Sequence, residues 1–134
     1  MLNLTDDNNG QVMMSDTKNI AQSAIEVDKN VYQRLKITEN TIHNFCQKWQ
    51  ITELSVFGSI LTDRFNQNSD VDILVKFSPE ARISLFDLEN MESELKITLG
   101  RDVDIVTKKA IQCSRNWIRR QNILGSAQVL YVTR

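Results

Sequence analysis

The chain has 134 residues, of which 41% are hydrophobic and 25% are charged, and its formal net charge is −1. A chain of this length can bury one core but has no room for a second catalytic or binding domain. The small net charge excludes strong overall attraction to nucleic acid, and we expect no direct nucleic-acid binding. No apolar run approaches the roughly 20 residues of a membrane span, so we expect no membrane insertion.

Cysteine and histidine are scarce, and none of them has the spacing of metal ligands. The two cysteines, Cys46 and Cys113, and the lack of a signal-like apolar segment predict free thiols in a reducing cytoplasm. His43 is the only histidine, which excludes a histidine-centred triad or a histidine-rich zinc site. We expect it on the outer face of its helix.

Residues 1–28 are polar and lack helical or strand periodicity, which predicts a flexible leader before a domain that spans residues 29–134. Thr38 is the expected N-cap of the first helix, because Ile37 and Ile42 have the spacing of a hydrophobic staple. An apolar stripe at i, i+3, i+4 and i+7 would pack this helix on a sheet: Ile42, Phe45, Cys46 and Trp49.

A strand predicted at residues 53–57 leads into a Gly-Ser turn and a short helix at residues 60–65. Gly58 lets the backbone come close to a phosphate. Ser59 would lie at the start of the short helix, where free N–H groups and the helix dipole attract anions. The simpler interpretation is an ordinary turn between a strand and a helix.

The next strand, predicted at residues 70–77, carries two carboxylates on one face. Asp70 and Asp72 point the same way, about 6.6 Å apart along the strand at a rise of ~3.3 Å per residue. Val71, Ile73 and Val75 face the opposite side and are expected in the core. Two carboxylates on an apolar strand repel each other unless a cation or hydrogen bonds offset the repulsion, which indicates a metal site rather than a solvated strand edge.

A helix beginning at Ser84, with Asp87 three residues later, is predicted to end at Gly100. Its inward residues are expected to be Leu85, Leu88, Leu95 and Leu99. The strand that follows, at residues 103–106, repeats the alternation of acidic and apolar residues. Asp104 is the expected third carboxylate, whereas Asp102 is more easily explained as a loop-ending or capping residue. Three carboxylates suit magnesium, which prefers oxygen ligands.

The last predicted elements are a helix at residues 114–124 and a strand at residues 129–132, which complete an α+β fold with a small mixed sheet and helices packed mainly on one face. The first 104 residues carry ten basic and seventeen acidic groups, or 10 − 17 = −7. Six basic residues and no acidic one follow: Lys108, Lys109, Arg115, Arg119, Arg120 and Arg134. This segment could bind a triphosphate or an acidic partner, or form an ordinary solvated helix face.

Three motifs together resemble those of the minimal nucleotidyltransferases of the polymerase-beta superfamily, the antitoxin partners of HEPN-domain toxins: Phe57-Gly58-Ser59, then Asp70-x-Asp72 after ten residues, and later Asp104 between apolar residues. The resemblance runs from about residue 37 to residue 131. Many members carry an arginine shortly after the Gly-Ser pair. That position is Thr62 here, and Arg64 is the expected replacement.

The resemblance implies that the chain transfers AMP from ATP to a tyrosine hydroxyl of a cognate HEPN ribonuclease toxin and thereby inactivates it. Two magnesium ions, ~4 Å apart, would stabilise the attacking and leaving oxygens. The expected metal-binding and catalytic residues are Asp70, Asp72 and Asp104. The expected nucleotide-binding residues are Gly58, Ser59 and Arg64.

Three other functions are compatible with these motifs. The chain could neutralise a toxin by binding alone and keep a relic of the metal site. It could transfer nucleotides to a small molecule, although it has no second domain to enclose such a substrate. It could also be a regulatory nucleotide-binding module.

Overall fold

The computed structural model describes residues 29–133, so the leader predicted at residues 1–28 lies outside the described residues. These residues form five helices and four strands, and one 3-10 helix follows the first strand. In chain order they are α1 (Lys29–Leu35), α2 (Glu39–Lys48), β1 (Ile51–Phe57), the 3-10 helix (Gly58–Leu61), β2 (Val71–Phe77), α3 (Leu85–Leu99), β3 (Val103–Thr107), α4 (Lys108–Gln112), α5 (Trp117–Ser126) and β4 (Gln128–Val132).

The four strands form one mixed sheet in the order β3-β2-β1-β4. β1 pairs antiparallel with both β2 and β4, while β2 and β3 are parallel because α3 connects them. The predicted α+β fold with a mixed sheet is confirmed, and each strand begins and ends within two residues of its predicted bounds.

Each face of the sheet has its own apolar cluster. The larger cluster joins one face to α1, α2 and α3, and it includes Val71, Ile73 and Val75, each at most 1% exposed. The predicted inward face of β2 is therefore confirmed. The smaller cluster, on the other face, is built on Leu74, Ile111 and Ile123 and is covered by α4 and α5. Most of the helices thus pack on one face, as predicted.

The first described helix, α1, was not expected from the sequence. It buries Val31, Tyr32 and Leu35 in the larger cluster. The Tyr32 hydroxyl donates to the Leu130 carbonyl oxygen at 3.2 Å, and burial raises the pKa of Tyr32 to about 12. The next helix, α2, follows the prediction, because the Thr38 side chain caps it by accepting the Thr41 N–H.

Helix α3 begins and ends where the sequence predicted. Ser84 and Asp87 form a reciprocal capping box, and Gly100 ends the helix in the left-handed conformation. The inward position predicted for Leu85 is wrong, because this side chain is 79% exposed. Ile83, the residue before the cap, packs on the core instead, together with Leu88 one turn later.

Two predicted helices have different bounds. The helix expected at residues 60–65 is a 3-10 helix that ends at Leu61, because the backbone of Thr62 is extended. The Thr62 N–H and hydroxyl both donate to the Ser59 carbonyl oxygen, at 2.9 and 2.8 Å. The helix expected at residues 114–124 is α5, which covers Trp117–Ser126, and α4 before it was not predicted. Thr107 caps α4, and Asn116 caps α5.

His43 and Cys46 lie on α2, and Cys113 follows α4. Cys46 and Cys113 are both free, as predicted, and burial raises the pKa of the Cys46 thiol to about 12. His43 is exposed, as predicted, and its ring lies edge-on to Tyr131 with centroids 5.3 Å apart. None of the helices between residues 29 and 133 is long and apolar enough to cross a membrane.

Candidate active site

One edge of the sheet brings together the turn and the carboxylates that the sequence singled out. β1 ends at this edge, and β2 and β3 both begin there. The strand register places Phe57 beside Asp72, and Asp72 beside Asp104. Residues that lie 15 (72 − 57) and 32 (104 − 72) positions apart along the chain are therefore neighbours because of the sheet register.

Two of the predicted carboxylates, Asp70 and Asp104, act on the third, Asp72. Asp72 is half-buried, and burial raises its pKa above the ordinary value of 3.8, as do the neighbouring charges of Asp104 and Asp70. Asp102, in contrast, lies before the start of β3, and its main-chain carbonyl oxygen accepts the Val71 N–H at 2.9 Å. The register therefore favours Asp104 over Asp102 as the third acidic group.

Gly58 lies directly against one of these carboxylates. Its φ is +81°, a conformation that other residues rarely adopt. A Cβ atom at this position would overlap Oδ2 of Asp72. The sequence predicted that this glycine allows close approach to a phosphate, and the structure adds that it allows close approach to Asp72.

Ser59 is the second residue of the 3-10 helix, which has a single turn. Four residues give a much smaller dipole than the longer helix expected from the sequence, so the field of this helix adds little to anion binding. The Ser59 hydroxyl and the main-chain N–H groups near it are the groups that this turn offers to a phosphate.

Two arginines that sequence reasoning missed hold the loop between the turn and β2. Arg34 of α1 donates to the carbonyl oxygens of Ile60 and Thr62 at 2.7 and 2.6 Å. Arg101 donates to the carbonyl oxygens of residues 66 and 69 at 2.9 and 3.1 Å. Their guanidinium groups lie 5.9 and 4.4 Å from the centre of the Phe65 ring. The turn is therefore fixed by residues distant in sequence.

Arg64, the expected substitute for the family arginine, is exposed, and its main-chain N–H donates to the Thr62 hydroxyl at 3.2 Å. No contact in the described part of the chain brings its side chain to the carboxylates. Arg119 of α5 has a clearer relation to the site, because its charge lowers the pKa of Asp72 and partly offsets the three effects that raise it.

The donor chemistry of this edge fits magnesium that arrives with a nucleotide. Between residues 29 and 133, no three His, Cys, Asp or Glu side chains are close enough to hold a metal ion by themselves. Magnesium does not need such a cage, because it commonly takes one or two carboxylates and completes its shell with substrate phosphates and water. Asp70, Asp72 and Asp104 therefore do not form a complete three-carboxylate group in the described residues, but Asp72 and Asp104, which are neighbours in the strand register, offer oxygen donors of this kind.

A mixed sheet with a Gly-Ser turn and registered carboxylates at one edge is the arrangement of a nucleotidyl-transferring domain. Residues 39–130 match the family model described as nucleotidyltransferase domain. The chain belongs to this family.

Similar proteins and structures agree with the fold. Protein adenylyltransferase MntA of Thermococcus cleftensis is 36% identical over 66 residues, which are 49% of this chain and 65% of that protein. A chain of a toxin–antitoxin crystal structure with AMP-PNP superposes with a TM-score of 0.57 and 21% identity, over 73% of this chain and 76% of that one.

A second solved structure has the same fold. It is a complex of a tri-AMPylated Shewanella oneidensis HEPN toxin with its MNT antitoxin, with a TM-score of 0.51 and 20% identity, over 74% of this chain and 73% of that one. The alignments with the curated relatives span 64% to 67% of the length of those proteins.

Proposed function

We propose that this chain is an antitoxin nucleotidyltransferase that transfers AMP from ATP to a tyrosine hydroxyl of a cognate HEPN-domain ribonuclease toxin in the cytoplasm. The observation that carries the proposal is the shared sheet edge, where the Gly58 turn lies against Asp72 and Asp72 lies beside Asp104. The relatives named protein adenylyltransferase and the fold shared with toxin–antitoxin complexes support the choice of acceptor.

In the proposed reaction, the acceptor oxygen attacks the α-phosphorus of ATP in line with the bond to the β-phosphate. The new bond joins the tyrosine oxygen to phosphorus, the bond to the bridging oxygen breaks, and pyrophosphate leaves. A carboxylate oxygen of Asp104 accepts the hydroxyl proton. The Ser59 hydroxyl and the main-chain N–H groups after Gly58 position the β- and γ-phosphates.

Asp70 and Asp72 would hold two magnesium ions, and Asp104 would complete the second site. When bound, such ions neutralise charge on the attacking and leaving oxygens. The raised pKa of Asp72 is consistent with this role, because desolvated and mutually repelling carboxylates bind cations in place of protons.

We expect catalytic rather than stoichiometric neutralisation of the toxin. With ATP labelled at the α-phosphate, magnesium and a purified HEPN partner, a small amount of the chain should label a molar excess of partner on tyrosine. Asp104→Ala should still bind the partner but transfer at least about a hundredfold more slowly, as expected for the loss of a general base. Asp102→Ala is the matched control, with the same change two residues earlier, and should keep transfer.

The alternatives give different results in the same assay. One-to-one neutralisation that survives Asp104→Ala would show an antitoxin that acts by binding alone. Labelling of small molecules only would show a different acceptor class. Nucleotide binding without transfer to either would indicate a regulatory module.

Ser59→Ala tests the role of the turn. The substitution removes one hydroxyl donor to phosphate but leaves the main-chain donors, so it should cost about 1.5 to 3 kcal/mol of ATP binding, roughly ten- to a hundredfold in the apparent ATP constant. Thermal stability should not change. Ser93→Ala, at an exposed position on α3, is the control. An unchanged ATP constant would remove Ser59 from the nucleotide site.

A further inference from the structure

Helix α5 ends at the same sheet edge as the carboxylates. β4 follows it at once, and its first residue, Gln128, pairs with Val56 at the end of β1. The helix packs on the sheet face that carries the Asp72 side chain, because its Ile123 is buried in one cluster with Leu74, two residues after Asp72 on the same strand. α5 therefore covers the sheet face that carries the Asp72 side chain.

Arg119 is an exposed residue in the first turn of this helix. It precedes Ile123 by four residues, so the two side chains lie on one helix face. Arg119 is the single cation that acts on the pKa of Asp72, which places its charge near the carboxylates. The guanidinium forms no ion pair with them, since the salt bridges of the described chain are Lys48–Glu94 and Lys108–Glu53.

The donors of Arg119 are also unused. Its main-chain N–H donates to the Asn116 side chain, but its exposed guanidinium has no hydrogen-bond partner within the described chain. The neighbouring Arg120, in contrast, donates to the Ser114 carbonyl oxygen at 2.7 Å. Arg34 and Arg101 likewise use their donors on carbonyl oxygens. Arg119 thus combines free donors with a position beside Asp72.

A guanidinium with free donors beside an acidic cluster can bind a polyanionic ligand of that site. A nucleoside triphosphate adds several negative charges to three carboxylates, and a guanidinium offers five donors whose planar geometry matches phosphate oxygens. The position after the Gly-Ser turn cannot supply this charge, because it is Thr62 and its hydroxyl donates to Ser59.

We propose that Arg119 binds the triphosphate of the nucleotide substrate from the α5 side of the site, while Arg120 serves only to hold the start of the helix. This inference rests on the proposed function and replaces the partner-binding role that basic residues in this segment could otherwise have.

The test measures binding of magnesium AMP-PNP to the full chain without a partner, by calorimetry, and then ATP kinetics with the partner. Arg119→Ala should weaken AMP-PNP binding and raise the apparent KM for ATP by roughly ten- to a hundredfold, with a smaller effect on kcat. Arg119→Lys, which keeps the charge but not the planar donors, should recover part of the loss. Arg82→Ala, an exposed arginine near the opposite edge of the sheet, should behave like the parent chain.

Other outcomes would overturn the inference in distinguishable ways. Unchanged AMP-PNP affinity in Arg119→Ala, with partner binding that becomes weaker in a salt-dependent way, would place Arg119 at the partner interface and leave the proposed function intact. Equal loss in Arg82→Ala would indicate a general charge effect. A parent chain that binds no AMP-PNP would overturn both this inference and the proposed function.

Discussion

Asp72→Asn should abolish AMP transfer and at the same time make the protein more stable at neutral pH. Loss of a carboxylate that holds the metal should cost several kcal/mol of transition-state stabilisation, or roughly a thousandfold or more in rate. The amide keeps the shape of the side chain, so the fold should be retained. Most inactivating substitutions destabilise a protein. Loss of transfer together with a gain in stability would therefore distinguish the loss of a metal-binding carboxylate from general damage to the fold.

The gain in stability follows from the direction of the pKa shift. Burial, Asp104 and Asp70 raise the pKa of Asp72 in the folded chain above 3.8, so the folded state binds the proton more tightly than the unfolded state. The ionised carboxylate therefore costs stability above the folded-state pKa. The cost falls as the pH drops through that pKa, and it is absent below the unfolded-state value.

Thermal unfolding without metal is the measurement. Asp72→Asn should raise Tm by about 2 to 5 °C at pH 7 and by nothing near pH 3, for a domain of this size. Magnesium with AMP-PNP should stabilise the parent chain more than the variant, because a ligand stabilises the state it binds. In Glu80→Gln no such gain is expected, since a hydrogen bond from Ser78 lowers the pKa of the exposed Glu80 carboxyl.

Two results would contradict this account of Asp72. Transfer at the parental rate in Asp72→Asn would show that the carboxylate does not take part in the reaction. A lower Tm at pH 7 would show that favourable contacts, rather than repulsion and burial, dominate around this group in the folded chain.

The sequence predicted the strands and the acidic edge because both depend on short-range patterns. The alternation of acidic and apolar residues around Asp72 and Asp104 defines which side chains share a face. The preference for Asp104 over Asp102 came instead from the position of Asp102 close after Gly100, where it could end or cap the loop. The register of β2 and β3 places Asp104 beside Asp72. The roles assigned to these residues remain predictions.

The features that sequence reasoning missed depend on long-range contacts. Arg34 binds carbonyl oxygens 26 and 28 residues away, and Arg101 binds others 32 and 35 residues away, so no local spacing marks either residue. The burial of α1 depends equally on a distant partner, the Leu130 carbonyl that Tyr32 contacts. Leu85 is exposed, whereas Ile83, two residues earlier, packs on the core, and local spacing alone did not separate the two.

Arg119 shows the same limit at the candidate site. The excess of basic residues after Asp104 indicated an anion-binding segment, but composition does not separate Arg119 from Arg120. The separation comes from the hydrogen bond that occupies Arg120, and from the charge of Arg119, which acts on Asp72.

Gly58→Ala should lose both stability and transfer. Alanine substitutions at Gly100 and Gly125 separate the effect of backbone strain from the effect of overlap with Asp72. Gly58 and Gly100 both have positive φ, at +81° and +69°, so alanine at either position should cost about 1 to 2 kcal/mol of folding free energy. A methyl group at Gly58 would also overlap Oδ2 of Asp72, whereas a methyl group at Gly100 or Gly125 would meet no atom within 4 Å.

The overlap at Gly58 must displace either the turn or the Asp72 carboxylate, and both belong to the proposed site. Because a misplacement of about 1 Å can cost a hundredfold in rate, Gly58→Ala should reduce transfer at least about a hundredfold at a temperature where the variant is folded. Gly100→Ala should lose similar stability but keep transfer, and Gly125→Ala should keep both. Thermal unfolding and the toxin-labelling assay measure the two effects separately. If Gly58→Ala loses no more transfer than Gly100→Ala, close contact between the turn and Asp72 is not needed for the reaction.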